Sequence, residues 1–331
     1  MVSLQSSKFN GISDDLKNIL DANMDEAPAR RRAREAFKDT QLSIDHCLFK
    51  IPTQGLKMDE WYEKNLRGLE IFCKTWVPES SPPKALICYC HGYGDTSTFF
   101  FEGMYLSAGI ARKLASAGFG VCAMDYPGFG LSDGLHGYIE SFDGLVNDVI
   151  EHYSKIKEKP EFRMRPCFLF GQSMGGAVAL KMHLKQPDAW NGAILLAPMC
   201  KIADELYPPF ILTQILITLA KTVYNVIVYK DKPRLKTAVE MLHATDEIAG
   251  RLEEVSFPLL ILHGEADQVT DPSISKALYE KASSKDKKLN LYKDSFHALL
   301  EGEPDDVIFH VFDDIISWLN DHSMIIETTQ N

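Results

Sequence analysis

The stretch Cys167 to Leu180, CFLFGQSMGGAVAL, leaves this chain few folds to choose from. An apolar run of strand length meets Gly171-Gln172-Ser173-Met174-Gly175, and an Ala-rich helical run follows at once. A serine in so tight a strand-to-helix turn is held in a strained conformation, with its hydroxyl pushed clear of the sheet. Only residues without a Cβ fit two places to either side of it. Gly176 adds a third small residue, so the new helix can lie close to the strand. The helix N-terminus puts free N–H groups and a positive dipole end beside Ser173, suited to an oxygen that develops negative charge. The pattern predicts a serine nucleophile, provided that its partners occur elsewhere in the chain.

The rest of the sequence alternates in the same way. Residues 1–43 are polar, with short helices expected over Asp14 to Asn23 and Pro28 to Lys38. Arg30, Arg31, Arg32 and Arg34 read as a solvated helix face, with docking to anionic lipid as the sharper alternative. Ile44 to Ile51 and Leu69 to Val77 read as strands separated by a polar turn region. Continuous apolar runs at Ala85 to Cys90, Gly120 to Met124, Gly192 to Leu196 and Pro258 to Leu262 have the composition of strands buried on both faces. A last strand is expected at Lys288 to Tyr292. Helical patterns lie between the strands at Met104 to Ala117, Phe142 to Ile156 and Ile274 to Ala282, and Asp305 to Asn320 closes the chain. This order implies an α/β fold, a mostly parallel sheet covered by helices on both faces. Between Pro198 and about Glu254 two helical segments, Pro208 to Thr222 and Pro233 to His243, replace the next strand and read as an inserted cap. The domain organisation is then a polar helical extension over residues 1–43, a core over 44–198 and 255–323, and a cap over 199–254.

A serine hydroxyl is too weakly acidic to attack a carbonyl unaided; it needs a base, and the base needs an orienting acid. In a sheet of this kind the chain order is Ser, then Asp or Glu, then His, and the groups gather at the carboxyl ends of strands. The loop after Leu262 offers Glu265, Asp267 and Asp271; Asp267 is far enough past the strand end to turn back toward the serine, and Glu265 is the alternative acid. Of the histidines beyond it, His297 lies in the loop directly after the last strand, whereas His310 and His322 belong to the closing helix. Asp267 would hold the imidazole of His297 in one tautomer, and His297 would take the Ser173 proton. Two oxyanion donors are expected, the N–H of Met174 and, from the His91-Gly92-Tyr93-Gly94 loop, that of Tyr93. His91 precedes Ser173 and is read as fixing that loop; His263 is read as a packed histidine. Gly128-Phe129-Gly130 lacks the third glycine of a dinucleotide loop.

Composition narrows the function. A formal net charge of −11 argues against a general nucleic-acid binder. Seven cysteines, an odd count without Cys-x-x-Cys, read as small buried hydrophobes in a reducing compartment, and zinc-ligand spacing is absent. Neither a secretory signal nor a spanning helix is expected, so the chain reads as soluble and intracellular.

Five segments together resemble one family. His91-Gly92-Tyr93-Gly94, Asp125 to Ser132, Gly171 to Gly176, His263-Gly264-x-x-Asp267 and His297 occur in order, with the spacing of the monoacylglycerol lipase family of α/β-hydrolases, in particular its plant branch of lysophospholipase-like and caffeoylshikimate esterase-like members. The resemblance covers about residues 30–320. It implies an α/β-hydrolase fold with an eight-stranded sheet, a cap over the site, and hydrolysis of a monoacylglycerol, lysophospholipid or similar ester through an acyl-enzyme, with neither metal nor organic cofactor. By that match the triad is Ser173, Asp267 and His297 with oxyanion donors Tyr93 and Met174, and His91, Tyr207, Phe210 and Ile211 are expected around the substrate. One departure is visible: Lys221-Thr222-Val223 joins two cap segments that plant members separate by a longer charged stretch. A shortened cap leaves the pocket more open. The apolar run from Pro208 to Ile217 serves either to pack the cap on the sheet or to touch a membrane. The readings kept beside ester hydrolysis are acyl transfer or cleavage of a small phenolic or specialised-metabolite ester, and a ligand-binding receptor on a hydrolase scaffold.

Overall fold

A computed structural model describes residues 22–42, 46–97, 107–201 and 234–329. The strands are β1 (Leu56–Lys64), β2 (Glu70–Pro78), β3 (Leu86–Cys90), β4 (Gly120–Met124), β5 (Cys167–Gln172), β6 (Gly192–Leu196), β7 (Leu259–Gly264) and β8 (Lys287–Tyr292). The helices are α1 (Ala27–Leu42), α2 (Ser107–Ser116), α3 (Phe142–Lys157), α4 (Met174–Lys185), α5 (Leu235–Ala249), α6 (Pro272–Lys281) and α7 (Asp305–Thr329). All eight strands form one sheet in the order β1-β2-β4-β3-β5-β6-β7-β8. β1 and β2 run antiparallel to their neighbours, and β3 to β8 are parallel.

The sheet is buried on both faces, which is why its central strands carry no polar alternation. Along β3, Leu86, Cys88 and Cys90 enter one apolar cluster while Ile87 and Tyr89 enter the other. The first cluster includes residues of α3 and α4, the second residues of α2 and α7. The chain leaves β3 for β4 on one side and then crosses to β5 on the other. This change of direction opens a crevice at the carboxyl ends of β3 and β5, where ligands bind in sheets of this type.

Two expectations need correction. The strand expected at Ile44 to Ile51 is not one: Cys47–Lys50 is a single 3₁₀ turn, capped by His46 Nδ1, which accepts from Leu48 N. The first strand lies instead in the polar stretch assigned to a turn. β1 is a largely exposed edge strand, so LKMDEWYEK needs no apolar run to form. Nor is the arginine cluster a uniformly solvated face. Arg30 is fully buried, and its five N–H groups donate to the carbonyls of Met24, Asp25, Gly130, Ser132 and Gly134 at 2.5–3.4 Å. Burial lowers its pKa to about 10. Arg31 pairs with Glu70 and Asp133, and Arg34 with Glu60. Arg30 therefore pins α1 to the loop after β4. Arg30→Met should destabilise the fold by about 3–5 kcal/mol in urea unfolding, because the buried carbonyls of Gly130 and Ser132 lose a charged donor. Arg32→Ala, at an exposed position, should stay within about 0.5 kcal/mol of wild type.

α7 runs nine residues beyond the expected end, and α5 begins and ends later than Pro233 to His243. The helices expected at Asp14 to Asn23 and Pro208 to Thr222 lie largely or wholly outside the described residues, as do Tyr207, Phe210, Ile211 and the Lys221-Thr222-Val223 junction. Among the described residues no helix is long and apolar enough to cross a membrane.

Candidate active site

Ser173 sits at the junction of β5 and α4 with φ 51° and ψ −119°, a left-handed backbone that a residue with a Cβ rarely adopts. Close approach on every side enforces it. A Cβ on Gly175 would collide with the carbonyl of Cys90, one on Gly171 would lie 2.6 Å from Gly175 O, and one on Gly176 would lie 2.6 Å from Pro198 Cβ. β3, β5 and α4 are thus clamped together, and the serine at the bend is turned out of the sheet. Ser173 N donates to Leu196 O at 3.0 Å, and Ser173 O accepts from Gly176 N and Met199 N, both at 2.9 Å. Met174 opens α4, so its N–H has no acceptor within the helix.

The loop after β3 runs against this bend. A Cβ on Gly92 would lie 3.5 Å from Ser173 Cβ. Tyr93 follows, half-buried, its hydroxyl donating to Gly137 O at 3.2 Å. His91 is fully buried and stacks on Tyr126, ring centroids 3.7 Å apart. Its Nε2 accepts from Tyr126 N at 3.1 Å, which leaves Nδ1–H to donate to Gly92 O at 2.8 Å. Burial lowers its pKa to about 4, so the ring stays neutral. With both nitrogens engaged inside the protein, His91 holds the loop and has no ring nitrogen left for a substrate. Asp125, at the end of β4, ties the same loop down: it accepts from Ser97 N, Ser97 Oγ and Leu131 N at 2.5–2.7 Å. Burial raises its pKa to about 6.

Asp267 and His297 come from the loops after β7 and β8. Gly264 lets those loops touch, since a Cβ there would strike the carbonyls of Ser295 and Phe296. His297 Nδ1 lies 2.7 Å from Asp267 Oδ2. That oxygen also accepts from Thr270 Oγ1 at 2.8 Å and His263 Nε2 at 3.0 Å, while Oδ1 accepts from the N–H groups of Val269 (2.7 Å) and Thr270 (3.1 Å). Burial alone would push this carboxyl up; the hydrogen bonds from His263 and His297, and the charge on His297, prevail and hold it well below the usual carboxylate range. Glu265, the alternative acid, is exposed. Thr270 Oγ1 also lies 3.2 Å from Ala197 O, next to the Leu196 carbonyl that receives Ser173 N. A continuous set of contacts therefore links the serine bend to the acid and the imidazole. Among the described residues Ser173 Oγ and His297 Nε2 share no hydrogen bond; such bonds are often long before substrate binds.

His263 and Thr270, partners of the acid here, are not evident as such in the sequence. The sign of His263 was its place at the end of β7, four residues before Asp267. Thr270 carried no comparable signal, because only the fold of the turn brings its hydroxyl back to the carboxylate.

An eight-stranded, mostly parallel sheet with a strained serine bend at its switch point defines an α/β-hydrolase. The chain belongs to the hydrolase family described as Serine aminopeptidase, S33, whose model matches residues 81–231 and 218–305. It is 29% identical to the caffeoylshikimate esterase of Arabidopsis thaliana over 81% of this chain and 87% of that protein. It is also 29% identical to the human monoglyceride lipase over 77% of this chain and 88% of the relative. Among solved structures, a soluble variant of the Saccharomyces cerevisiae monoglyceride lipase superposes with a TM-score of 0.68 at 19% identity, covering 82% of this chain and 97% of the other. The monoacylglycerol lipase of Paleococcus ferrophilus does so with a TM-score of 0.60 at 22% identity, covering 76% and 99%.

Proposed function

We propose that the chain is a serine ester hydrolase acting on monoacylglycerol or lysophospholipid-type esters, with Ser173 as nucleophile, His297 as base and Asp267 as its orienting acid. The observation that carries this reading is the 2.7 Å contact of His297 with an acid that four other donors keep ionised, on the rim shared with a strained serine. Ser173 Oγ attacks the ester carbon as its proton passes to His297. The carbonyl oxygen becomes an oxyanion that accepts from the N–H groups of Met174 and Tyr93. The C–O bond to the alcohol then breaks, and His297 delivers the proton to the leaving oxygen. Water attacks the acyl-enzyme by the same route and frees the acid and Ser173. The segments 44–198 and 255–323 supply the residues of this machinery.

Two features support a lipid substrate. Val269 and Phe296, next to the acid and base loops, are 63% and 56% exposed, an apolar rim suited to an acyl chain or a membrane surface. The similarity to a monoglyceride lipase covers most of both chains. The equal identity to a caffeoylshikimate esterase favours a phenolic ester as the second reading. A panel of purified monoacylglycerols, lysophospholipids, caffeoyl esters and aminoacyl anilides separates them. We expect a monoacylglycerol or lysophospholipid to exceed the caffeoyl ester in kcat/KM by at least about tenfold. The reverse order would favour the phenolic reading, and cleavage of anilides alone would overturn both.

A further inference from the structure

Three possible metal ligands converge where β1, β2 and α3 meet, with β4 and β3 between them and the strand that carries Ser173. Trp61 is paired with Cys73, so the register puts Glu63 and Cys73 on one face of the β1–β2 ribbon. The β2–β4 register adds Cys122 to that face, and His152 descends on it from α3. Oxygen, sulfur and nitrogen of Glu63, Cys73 and His152 all lie within 4.8 Å of one another. Spacing along the chain gives no sign of this group.

The distances resemble those of an ion's coordination shell. His152 Nδ1 is 3.1 Å from Glu63 Oε1 and 3.7 Å from Cys73 Sγ. A tetrahedral zinc with its usual bond lengths separates nitrogen from oxygen ligands by about 3.3 Å and nitrogen from sulfur by about 3.6 Å. Zinc also requires the second imidazole nitrogen to find a partner of its own. Nε2 has one: Cys122 Sγ at 3.5 Å. Cys73 and His152 are buried, and the side chain of Glu63 is 28% exposed, which leaves an entry path and a position for water.

We infer that Glu63, Cys73 and His152 bind one Zn²⁺ through Oε1, Sγ and Nδ1, with Nε2–H turned to Cys122. On binding, the Zn–S bond forms as the Cys73 S–H bond breaks, and that proton leaves to solvent. His152 exchanges its Nδ1 proton for one on Nε2, so the ring remains neutral. Thiolate, carboxylate and ion sum to zero charge, which a site with Lys155 Nζ 3.9 Å from Glu63 tolerates. One released proton makes zinc affinity fall about tenfold per pH unit on acidification.

The test uses the full chain, stripped with a chelator and titrated with Zn²⁺ by calorimetry and with Cd²⁺ by ultraviolet absorption. Expected are one ion per chain, a thiolate-to-Cd²⁺ charge-transfer band, and a rise in Tm with Zn²⁺. Cys73→Ser should abolish the band, and Cys122→Ala should weaken zinc on the order of tenfold. Glu63→Gln, at a part-exposed position where the fold tolerates change, should lose the Tm response while its circular dichroism is unaltered. Wild-type binding no tighter than in Glu63→Gln and Cys73→Ser, or a Cd²⁺ complex without the thiolate band, would overturn the site.

Discussion

Ser173→Ala is expected to lower kcat on the order of 10⁴-fold or more towards every ester that the wild type cleaves, with the fold intact. The attacking oxygen is removed, and the bend from Gly171 to Gly175 carries no other hydroxyl. Met174 N–H and the Tyr93 loop remain, so a small residual rate above background is expected from binding and oxyanion stabilisation alone. Fluorophosphonate labelling should vanish with the hydroxyl. The backbone adds a second readout. Alanine keeps a Cβ at φ 51° and therefore keeps the strain, whereas Ser173→Gly relieves it, at roughly 1–3 kcal/mol for such a conformation. The glycine variant should therefore be as inactive as the alanine variant and melt at a higher temperature. Ester cleavage retained in Ser173→Ala would remove the nucleophile from the proposal.

The parts of the fold that could be read in the sequence are those in which one physical demand dominates. Strands β3 to β7 must exclude water on both faces, so they appear as unbroken apolar runs, and the helices between them imply a mostly parallel sheet. The serine bend shows because only glycine survives at Gly171, Gly175 and Gly176, where neighbouring backbone leaves no room for a Cβ. Asp267 and His297 could be chosen because strand ends leave few polar candidates. β1 could not be read: an exposed edge strand places no constraint on side-chain polarity, and its KMDEWYEK looks like a turn region. Arg30 misled for the opposite reason. It stands in a run of arginines, and three of the five carbonyls that hold it arrive from a loop about 100 residues away. The Glu63, Cys73 and His152 group is hidden in the same way, since strand register and helix placement assemble it from three separate segments.

Asp267→Asn should be nearly as damaging as loss of the serine, on the order of 10⁴-fold in kcat. The hydrogen bonds around position 267 dictate how the amide would sit. Val269 N–H and Thr270 N–H both donate to Oδ1, so the amide oxygen must take that place. The amide NH₂ then takes the place of Oδ2 and faces three donors: His297, His263 and Thr270. Two of them have somewhere else to turn. His263 Nε2–H keeps Thr270 O at 2.9 Å, and the Thr270 hydroxyl can rotate to Ala197 O at 3.2 Å. His297 has one other partner within reach, the Thr270 hydroxyl oxygen 3.1 Å from Nδ1, but the amide nitrogen takes the nearer place, 2.7 Å away. It accepts the amide proton on Nδ1 only by carrying its own proton on Nε2, and a protonated Nε2 cannot take the proton of Ser173. The defect is therefore one of tautomer as well as of charge. Glu265→Gln, at an exposed position, should stay within about twofold of wild type, as surface changes away from a site generally do. If Glu265→Gln proved the more damaging of the two, the acid would have to be reassigned.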